Sequence, residues 1–237
     1  MTTYASHRRP SVAVRRQVAT THAAWLSLGL ALGFLVPYVL ADRLELNRDL
    51  YYGLYALFAL GLFVAWAVAT GQALGEMLRR RWRAALVLGV AFAGVMAFVV
   101  VNTEDAGARP EGIELVGALA WRGAVYGFAD GVLLSAFPIL VVFAAFRSSR
   151  LRARLAGRLA VGLMALAASL AMTAVYHAGY SDFRSDKLMK PVAGDVIWSV
   201  PTLLTLNPIG APIAHAGQHV TAVLHNDETD LYLPPHR

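Results

Sequence analysis

Long stretches without charged residues are the feature that most constrains what this chain can fold into. Five of them are long enough to cross about 30 Å of hydrocarbon as helices. They are Ala23–Ala41, Leu50–Gly71, Ala84–Thr103, Gly123–Phe146 and Leu159–Tyr180. Lipid admits only helices and closed barrels, and uninterrupted apolar runs are typical of helices. The pattern predicts an all-α integral membrane protein with a bundle of five transmembrane helices.

The segment after the fifth stretch is apolar but broken. Residues 196–226 contain no Asp, Glu, Lys or Arg, yet prolines and a glycine interrupt them around Asn207-Pro208-Ile209-Gly210. The two halves are each too short to span a membrane alone. The sequence therefore predicts either a broken sixth span or a re-entrant C-terminal segment. Because broken backbone at membrane depth must be buried in protein or line a cavity, this segment is the first place to look for a site.

Basic residues concentrate in three alternate segments of the chain. Thirteen of the 21 Lys and Arg residues lie in the N-terminal segment and in the second and fourth connections. These residues are Arg8, Arg9, Arg15, Arg16, Arg79, Arg80, Arg81, Arg83, Arg147, Arg150, Arg152, Arg154 and Arg158. The positive-inside rule predicts that these segments are cytoplasmic in a multi-pass protein of the inner (plasma) membrane. Topology thus explains the net charge of +6 without a nucleic-acid partner, and the lipid bilayer is the expected partner.

The same charge pattern divides the chain. Residues 1–22 form a basic cytoplasmic N-terminus, 23–226 a single transmembrane helical domain and 227–237 an acidic, extracytoplasmic tail. Only 15% of the residues are charged, against about 25% in soluble domains. The first stretch is longer than the roughly 7–15 apolar residues of a signal peptide, so we interpret it as a retained span. The chain has no cysteine, which excludes disulfides, thiolate nucleophiles and cysteine-bound metals.

Ionisable residues within the apolar segments are the candidates for chemistry, because each costs about 2.5–3.5 kcal/mol at the bilayer centre. Asp130 is the only acid well inside a predicted span. His215 and His219 are four residues apart, so a helix would place them on one side. Such a pair can hold a metal, a proton or a polar substrate group. The alternative is a pair of histidines that are hydrogen-bonded inside a packed bundle.

The predicted topology brings several of these residues toward one side of the membrane. Arg122 begins an inward-going span, and His177 ends an outward-going span. Asp130 lies about 12 Å deeper than Arg122 along the same helix. A polar pocket that opens outward, lined by Asp130, His177, His215 and His219, is therefore compatible with the topology.

An intramembrane hydrolase is the first functional hypothesis. Asp130 or Glu114 would be its base, and Arg122 would stabilise charge. The ligands of a divalent metal such as zinc, or the acid–base groups, would be His177, His215 and His219. A non-catalytic accessory or scaffold subunit with a membrane-protein partner is the second hypothesis. A small-molecule or proton-coupled transporter is the third and ranks last, because no inverted repeat is evident.

Three short motifs occur in order in the C-terminal half: Trp121-Arg122-Gly123, then His177, then His215-x-x-x-His219. They resemble motifs of the CAAX-protease and bacteriocin-processing (CPBP, or Abi) family of intramembrane proteases. The family's motifs are Glu-Glu-x-x-x-Arg, Phe-x-x-x-His and a late His-x-x-x-Asn or Asp. The resemblance implies proteolysis within the membrane.

This chain departs from the family pattern at four positions. The departing residues are Gly117 and Ala118 at the two glutamates, Thr173 at the phenylalanine and His219 at the final Asn or Asp. The family's glutamate activates the attacking water. Asp130 or Glu114 would have to replace it here, and neither has the motif's spacing.

Overall fold

The structure, a computed structural model, describes residues 12–235 without the side chains of Val12, Arg15 and Arg150. Arg8 and Arg9 of the predicted cytoplasmic segment lie outside these residues. The described chain is all-α and contains no strand. Its helices are α1 (Val12–Pro37), α2 (Arg48–Ala69), α3 (Leu74–Arg79), α4 (Trp82–Thr103), α5 (Gly112–Ala145), α6 (Leu155–Ala178), α7 (Met189–Trp198), α8 (Val200–Thr205) and α9 (Gly210–His225).

Five of these helices are long and apolar enough to cross a membrane, which confirms the predicted polytopic all-α class. They are α1 with its π-helical extension to Arg43, α2, α4, α5 and α6. Large apolar side chains on their outer faces are exposed, among them Leu57 at 73% and Phe98 at 70%. In a bilayer these side chains face lipid, so their exposure is consistent with the assignment.

Helix α5 is the centre of the bundle. Buried residues make up 78% of its most apolar window, against 17–44% in the other four spans. The helix continues from Gly112 into the span without a break at Trp121. Two π-helical segments interrupt its α-helical geometry, Leu119–Tyr126 and Val132–Ala136, and Asp130 lies between them. Such π segments occur frequently at functional sites, which draws attention to this part of α5.

The broken segment folds as a helical hairpin. Leu206 ends α8 in the left-handed region with φ 53°, and α9 starts at Gly210. At this tip, the Asn207 side chain donates to the carbonyls of Leu78 at 2.8 Å and Arg80 at 2.6 Å. The tip therefore lies at the arginine-rich end of the bundle, the end that carries the connections 70–81 and 146–154.

Helix α9 runs from this tip to the opposite end of the bundle. There, the His225 ring bonds to the Glu104 carbonyl at 2.9 Å, just beyond the end of α4. The α7–α8 arm starts at this same end, since it follows α6 and two short 3₁₀ turns. Both ends of the hairpin thus lie together at the end of the bundle opposite the tip, so the segment is a helical hairpin rather than a single broken helix.

The C-terminal tail folds back over the opposite end of the bundle. The Oδ2 atom of Asp227 accepts hydrogen bonds from the guanidinium groups of Arg48 and Arg122. The Tyr52 hydroxyl donates to the Leu233 carbonyl at 2.9 Å. Leu233 is fully buried. The predicted acidic tail is therefore packed against the bundle as far as the structure describes it.

Small residues allow α9 to lie unusually close to α5. Gly123, Gly127 and Gly131 recur every four residues along the face of α5 that contacts α9. A Cβ atom at Gly131 would lie 2.6 Å from the Cα atom of Pro212 and 2.9 Å from the Cβ atom of His215. This small-xxx-small pattern is a recurrent device for close helix packing in membranes. Its consequence here is that the histidine face of α9 meets the Asp130 region of α5.

Candidate functional site

Asp130, His215 and His219 converge at this helix contact. Oδ2 of Asp130 lies 3.0 Å from Nε2 of His215 and 3.6 Å from Nε2 of His219. All three side chains are buried. One ligand atom from each residue lies within 4.8 Å of the other two. Two imidazole nitrogens and one carboxylate oxygen therefore face a common point.

Tyr55 on α2 fixes the orientation of the carboxylate. Its hydroxyl donates a hydrogen bond to Oδ1 of Asp130, whereas the histidines lie beside Oδ2. Tyr55 is fully buried. The other carboxylate oxygen, Oδ2, faces the two histidines.

Aromatic packing holds the two imidazole rings. The Trp198 ring lies edge-on to His215 at 4.3 Å between centroids, and the Tyr126 ring lies edge-on to His219 at 5.0 Å. The Nδ1 atoms of both histidines have no hydrogen-bond partner among residues 12–235. Metal-bound histidines usually donate from the second nitrogen, so this pair relies on ring packing instead.

His177 on α6 lines the same cavity but is not one of the three converging residues. Its Nδ1 atom lies 2.8 Å from the Thr173 carbonyl. A carbonyl only accepts, so Nδ1 carries the proton in this bond and Nε2 is the basic nitrogen of the neutral ring. The hydrogen bond therefore fixes the tautomer of a neutral His177 ring.

A cavity of about 280 Å³ connects these groups to the end of the bundle opposite the arginine-rich end. Asp130, His177, His215 and His219 all line it. Most of the other lining side chains are apolar, including Met96, Val99, Ile197, Trp198 and Leu231. Asp130, His177, His215 and His219 therefore border one common space.

Polar groups border the cavity toward the opposite end. Lys190 on α7 is exposed, and Tyr232 of the tail forms a hydrogen bond with Thr103. Burial raises the pKa of Tyr232, so its phenol remains neutral at physiological pH. The cavity thus combines an apolar wall with a cationic side chain at this border.

Arg122 and Glu114 lie away from the converging residues. The Arg122 guanidinium donates to both carboxylate oxygens of Asp49, each at 2.9 Å, and to Asp227. Glu114 is exposed and lines a separate shallow pocket that also contains Arg122. The cavity with the histidines contains neither residue among its lining side chains.

Comparison of the chain with known protein families, curated proteins and solved structures finds no match. The CPBP resemblance therefore remains an expectation that rests on three short motifs.

The three converging residues form a donor set that suits a transition metal. Two histidines and one carboxylate are the protein ligands of several catalytic zinc sites, in which the fourth position is left for water or substrate. The same set with open positions also occurs in non-haem iron enzymes. The Asp130 carboxylate and, in the tautomers protonated at Nδ1, the lone pairs of the two Nε2 atoms can bind one ion.

A second buried acid lies nearby and was not expected from the sequence. Asp195 on α7 is fully buried, although it falls outside the predicted spans. Its carboxylate accepts hydrogen bonds from the hydroxyls of Ser135, Ser169, Thr173 and Ser199 at 2.6–3.1 Å. These hydroxyls belong to α5, α6 and the α7–α8 junction. The cluster therefore ties the first arm of the hairpin to two spans, and its full hydrogen bonding offsets the cost of the buried carboxylate.

Tyr55 and Trp198 are site residues that the sequence reasoning did not single out. Nothing in the local sequence indicates that Tyr55 would reach Asp130, because the contact joins two helices. The glycine spacing on α5 is the signal that was available, since it predicts which face of α5 receives another helix.

Proposed function

We propose that this protein is a membrane-embedded, metal-dependent hydrolase whose metal is held by Asp130, His215 and His219. The proposal rests on one observation: these three side chains converge at the deep end of an apolar cavity. A divalent metal such as zinc would activate a bound water and polarise the group under attack.

Asp130 has the surroundings of a preorganised ligand. The hydrogen bond from Tyr55 occupies Oδ1 and leaves Oδ2 for the ion. Outer partners of this kind orient ligands and commonly change metal affinity by 10–100-fold when removed. The burial of all three side chains also favours metal binding. A metal ion would compensate the charge of a buried carboxylate that otherwise shares only one or two imidazole protons.

His177 is the best candidate for the acid–base residue. It lines the cavity that contains the three ligands, and its hydrogen bond to the Thr173 carbonyl leaves Nε2 as the proton acceptor. In this role it would take a proton from the attacking water and return it to the leaving group. The sequence hypothesis made His177 a metal ligand or an acid–base group, and its separation from the other ligands favours the second role.

Arg122 supports the site from a distance. Its ion pairs with Asp49 and Asp227 hold the tail across the opposite end of the bundle. Tail residues Leu231 and Tyr232 line the cavity. Arg122 would therefore shape the cavity wall rather than stabilise charge on the reacting group.

The cavity favours an amphipathic substrate. Its walls are mostly apolar, and Lys190 lies at the border toward the opposite end. On one face of α7, Lys190 precedes Trp198 by eight residues, or about 12 Å of helix rise. Trp198 contacts His215. A substrate with an apolar body and an anionic group about 12 Å from the reacting bond would contact both the apolar wall and Lys190.

Metal content and hydrolysis test the proposal together. The protein is purified in neutral detergent, and zinc, iron and manganese are quantified in the wild type and in H215A, H219A and D130N. Hydrolysis of fluorogenic ester and peptide amphiphiles is measured before and after chelation. His225 is on the same helix but lies outside the cluster, so H225A is the matched control.

We expect close to one metal ion per chain in the wild type and in H225A, and strong loss in the three ligand variants. Hydrolysis should follow metal content, and H177A should keep the metal but lose most of the activity. Wild-type protein that binds no divalent metal when offered it would contradict the proposal. Hydrolysis that survives H215A and H219A unchanged would also contradict it.

A further inference from the structure

A second cavity lies at the arginine-rich end, apart from the site described above. It has a volume of about 440 Å³ and is bordered by the connection 70–81, by the end of α5 and by the tip of the hairpin. Arg80, Arg147 and Arg152 line it. These arginines belong to two different connections of the chain, and folding brings them together. The positive-inside rule explains why arginines occur at this end, but it does not require three of them to border one cavity.

The three guanidinium groups carry an uncompensated charge. Within residues 12–235, no carboxylate lies within 4 Å of any of them, as the observed ion pairs involve other residues. Glu76 is the one acid among the lining residues, which leaves a net charge of +2. The Arg152 guanidinium lies 5.4 Å from the centroid of the Phe143 ring, and this cation–π contact holds it at the wall. A bound anion would relieve the mutual repulsion of the three guanidinium groups.

The rest of the cavity wall is apolar and lies at the ends of the spans. Trp66, Leu140, Phe143 and Leu206 contribute to it. Helix α2 ends at Ala69 and α5 at Ala145, so the cavity lies at the level where hydrocarbon meets headgroups. The predicted cytoplasmic leaflet at this end is the leaflet in which anionic lipids attract basic side chains.

We propose that this cavity binds the headgroup phosphate of an anionic phospholipid. The planar guanidinium groups of Arg80, Arg147 and Arg152 match phosphate oxygens in a bidentate manner. The apolar wall would contact the first part of the acyl chains. Because Leu206 at the hairpin tip also lines the cavity, a bound lipid would brace the hairpin that carries His215 and His219. A free phosphate group could satisfy the arginines but not the apolar wall.

Thermal unfolding of delipidated protein in neutral detergent tests this proposal. Three probes are compared: short-chain phosphatidylglycerol, the corresponding phosphatidylcholine and inorganic phosphate. The test variant is R147A/R152A. The matched control R83A/R158A removes the same charge from exposed arginines at the same end that do not line the cavity. R147K/R152K keeps both positive charges but loses the planar, bidentate guanidinium groups. It replaces R147A/R152A as the test variant if the alanine variant does not fold.

We expect phosphatidylglycerol at about 100 times its Kd to raise the Tm of the wild type and of the control by roughly 5–10 °C. Phosphatidylcholine should give no such rise, R147A/R152A should lose it, and R147K/R152K should retain only part of it. Native mass spectrometry should show phosphatidylglycerol retained on the wild type and reduced on R147K/R152K. Equal stabilisation by phosphatidylcholine, or an equal loss in R83A/R158A, would overturn the proposal. Equal stabilisation by inorganic phosphate would overturn its assignment to a lipid.

Discussion

Nε2 of His215 lies 3.0 Å from Oδ2 of Asp130, across the contact that Gly131 opens between α9 and α5. Asp130 belongs to the central span α5, whereas His215 belongs to α9, the second arm of the hairpin. The absence of a Cβ atom at Gly131 lets the Pro212 backbone and the His215 Cβ atom approach α5 closely, and this approach sets the distance between the two side chains. Helix packing and site chemistry are thus coupled at this point.

Replacing Gly131 by alanine should disturb the site through packing alone. The new Cβ atom would lie 2.6 Å from the Pro212 backbone, and overpacking of this kind costs about 1–3 kcal/mol. We expect a lower Tm in detergent and weaker metal binding. Gly162→Ala is the matched control, since a Cβ atom there meets nothing within 4 Å. That variant should be as stable as the wild type or slightly more stable, and equal behaviour of the two variants would contradict the packing argument.

Replacing Tyr55 by phenylalanine should weaken the metal site without unfolding the protein. The change removes the hydroxyl that donates to Oδ1 of Asp130 and leaves the ring packing intact. We expect metal affinity to fall by about 10–100-fold, as for other outer partners of metal ligands. Competition with a chromophoric chelator measures it. Tyr52→Phe is the control, because that hydroxyl donates to the Leu233 carbonyl instead. A Y55F affinity within twofold of the Y52F value would argue against the role of Tyr55.

Replacing Asp227 by asparagine should loosen the tail. The change removes the charge that pairs with Arg48 and Arg122, whose side chains are 11% and 20% exposed. Breaking a largely buried pair costs about 3 kcal/mol or more, so the Tm should fall. Limited proteolysis should cut the tail of D227N faster than that of the wild type. Asp230→Asn is the control, because its contact with Lys187 is long and its side chain 61% exposed. Equal proteolysis rates in the two variants would contradict this view of the tail.

Replacing Lys190 by alanine should change substrate preference. Lys190 borders the cavity and is exposed, so its attraction for an anionic substrate is modest. Exposed ion pairs contribute about 0.2–1 kcal/mol, which corresponds to a rise in KM of up to roughly fivefold for anionic amphiphiles. The KM for neutral amphiphiles and the metal content should not change. A parallel rise in KM for both substrate classes would show that Lys190 acts only through packing.

Much of the fold could be predicted because the bilayer leaves few choices. Apolar runs mark α2, α4 and α6 to within a few residues of their observed ends. The prolines around Asn207 likewise mark the hairpin tip. The longer observed extent of α1 could not be predicted from apolar length, because this helix begins before the uncharged stretch, in a polar segment.

The site was only partly accessible from the sequence. Asp130, His177, His215 and His219 stand out because ionisable groups in apolar segments are costly. Their relative placement depends on which helix faces meet, and the spacing of residues along one helix does not contain that information. Tyr55 was missed for the same reason, and Asp195 was missed because it lies outside the predicted spans. The motif Trp121-Arg122-Gly123 drew attention to Arg122. Its ion-pair partners Asp49 and Asp227 could not be predicted, because they are distant from it in the sequence.

The first coordination shell of the loaded protein is the most direct test of the central claim. X-ray absorption at the zinc edge should be recorded on zinc-loaded wild type and on H219A. For the wild type, we expect only nitrogen and oxygen ligands at about 2.0–2.2 Å, with the outer-shell signal of two imidazoles. In H219A the signal should fall to one imidazole. A wild-type spectrum without imidazole, or one that H219A leaves unchanged, would contradict a metal site formed by Asp130, His215 and His219.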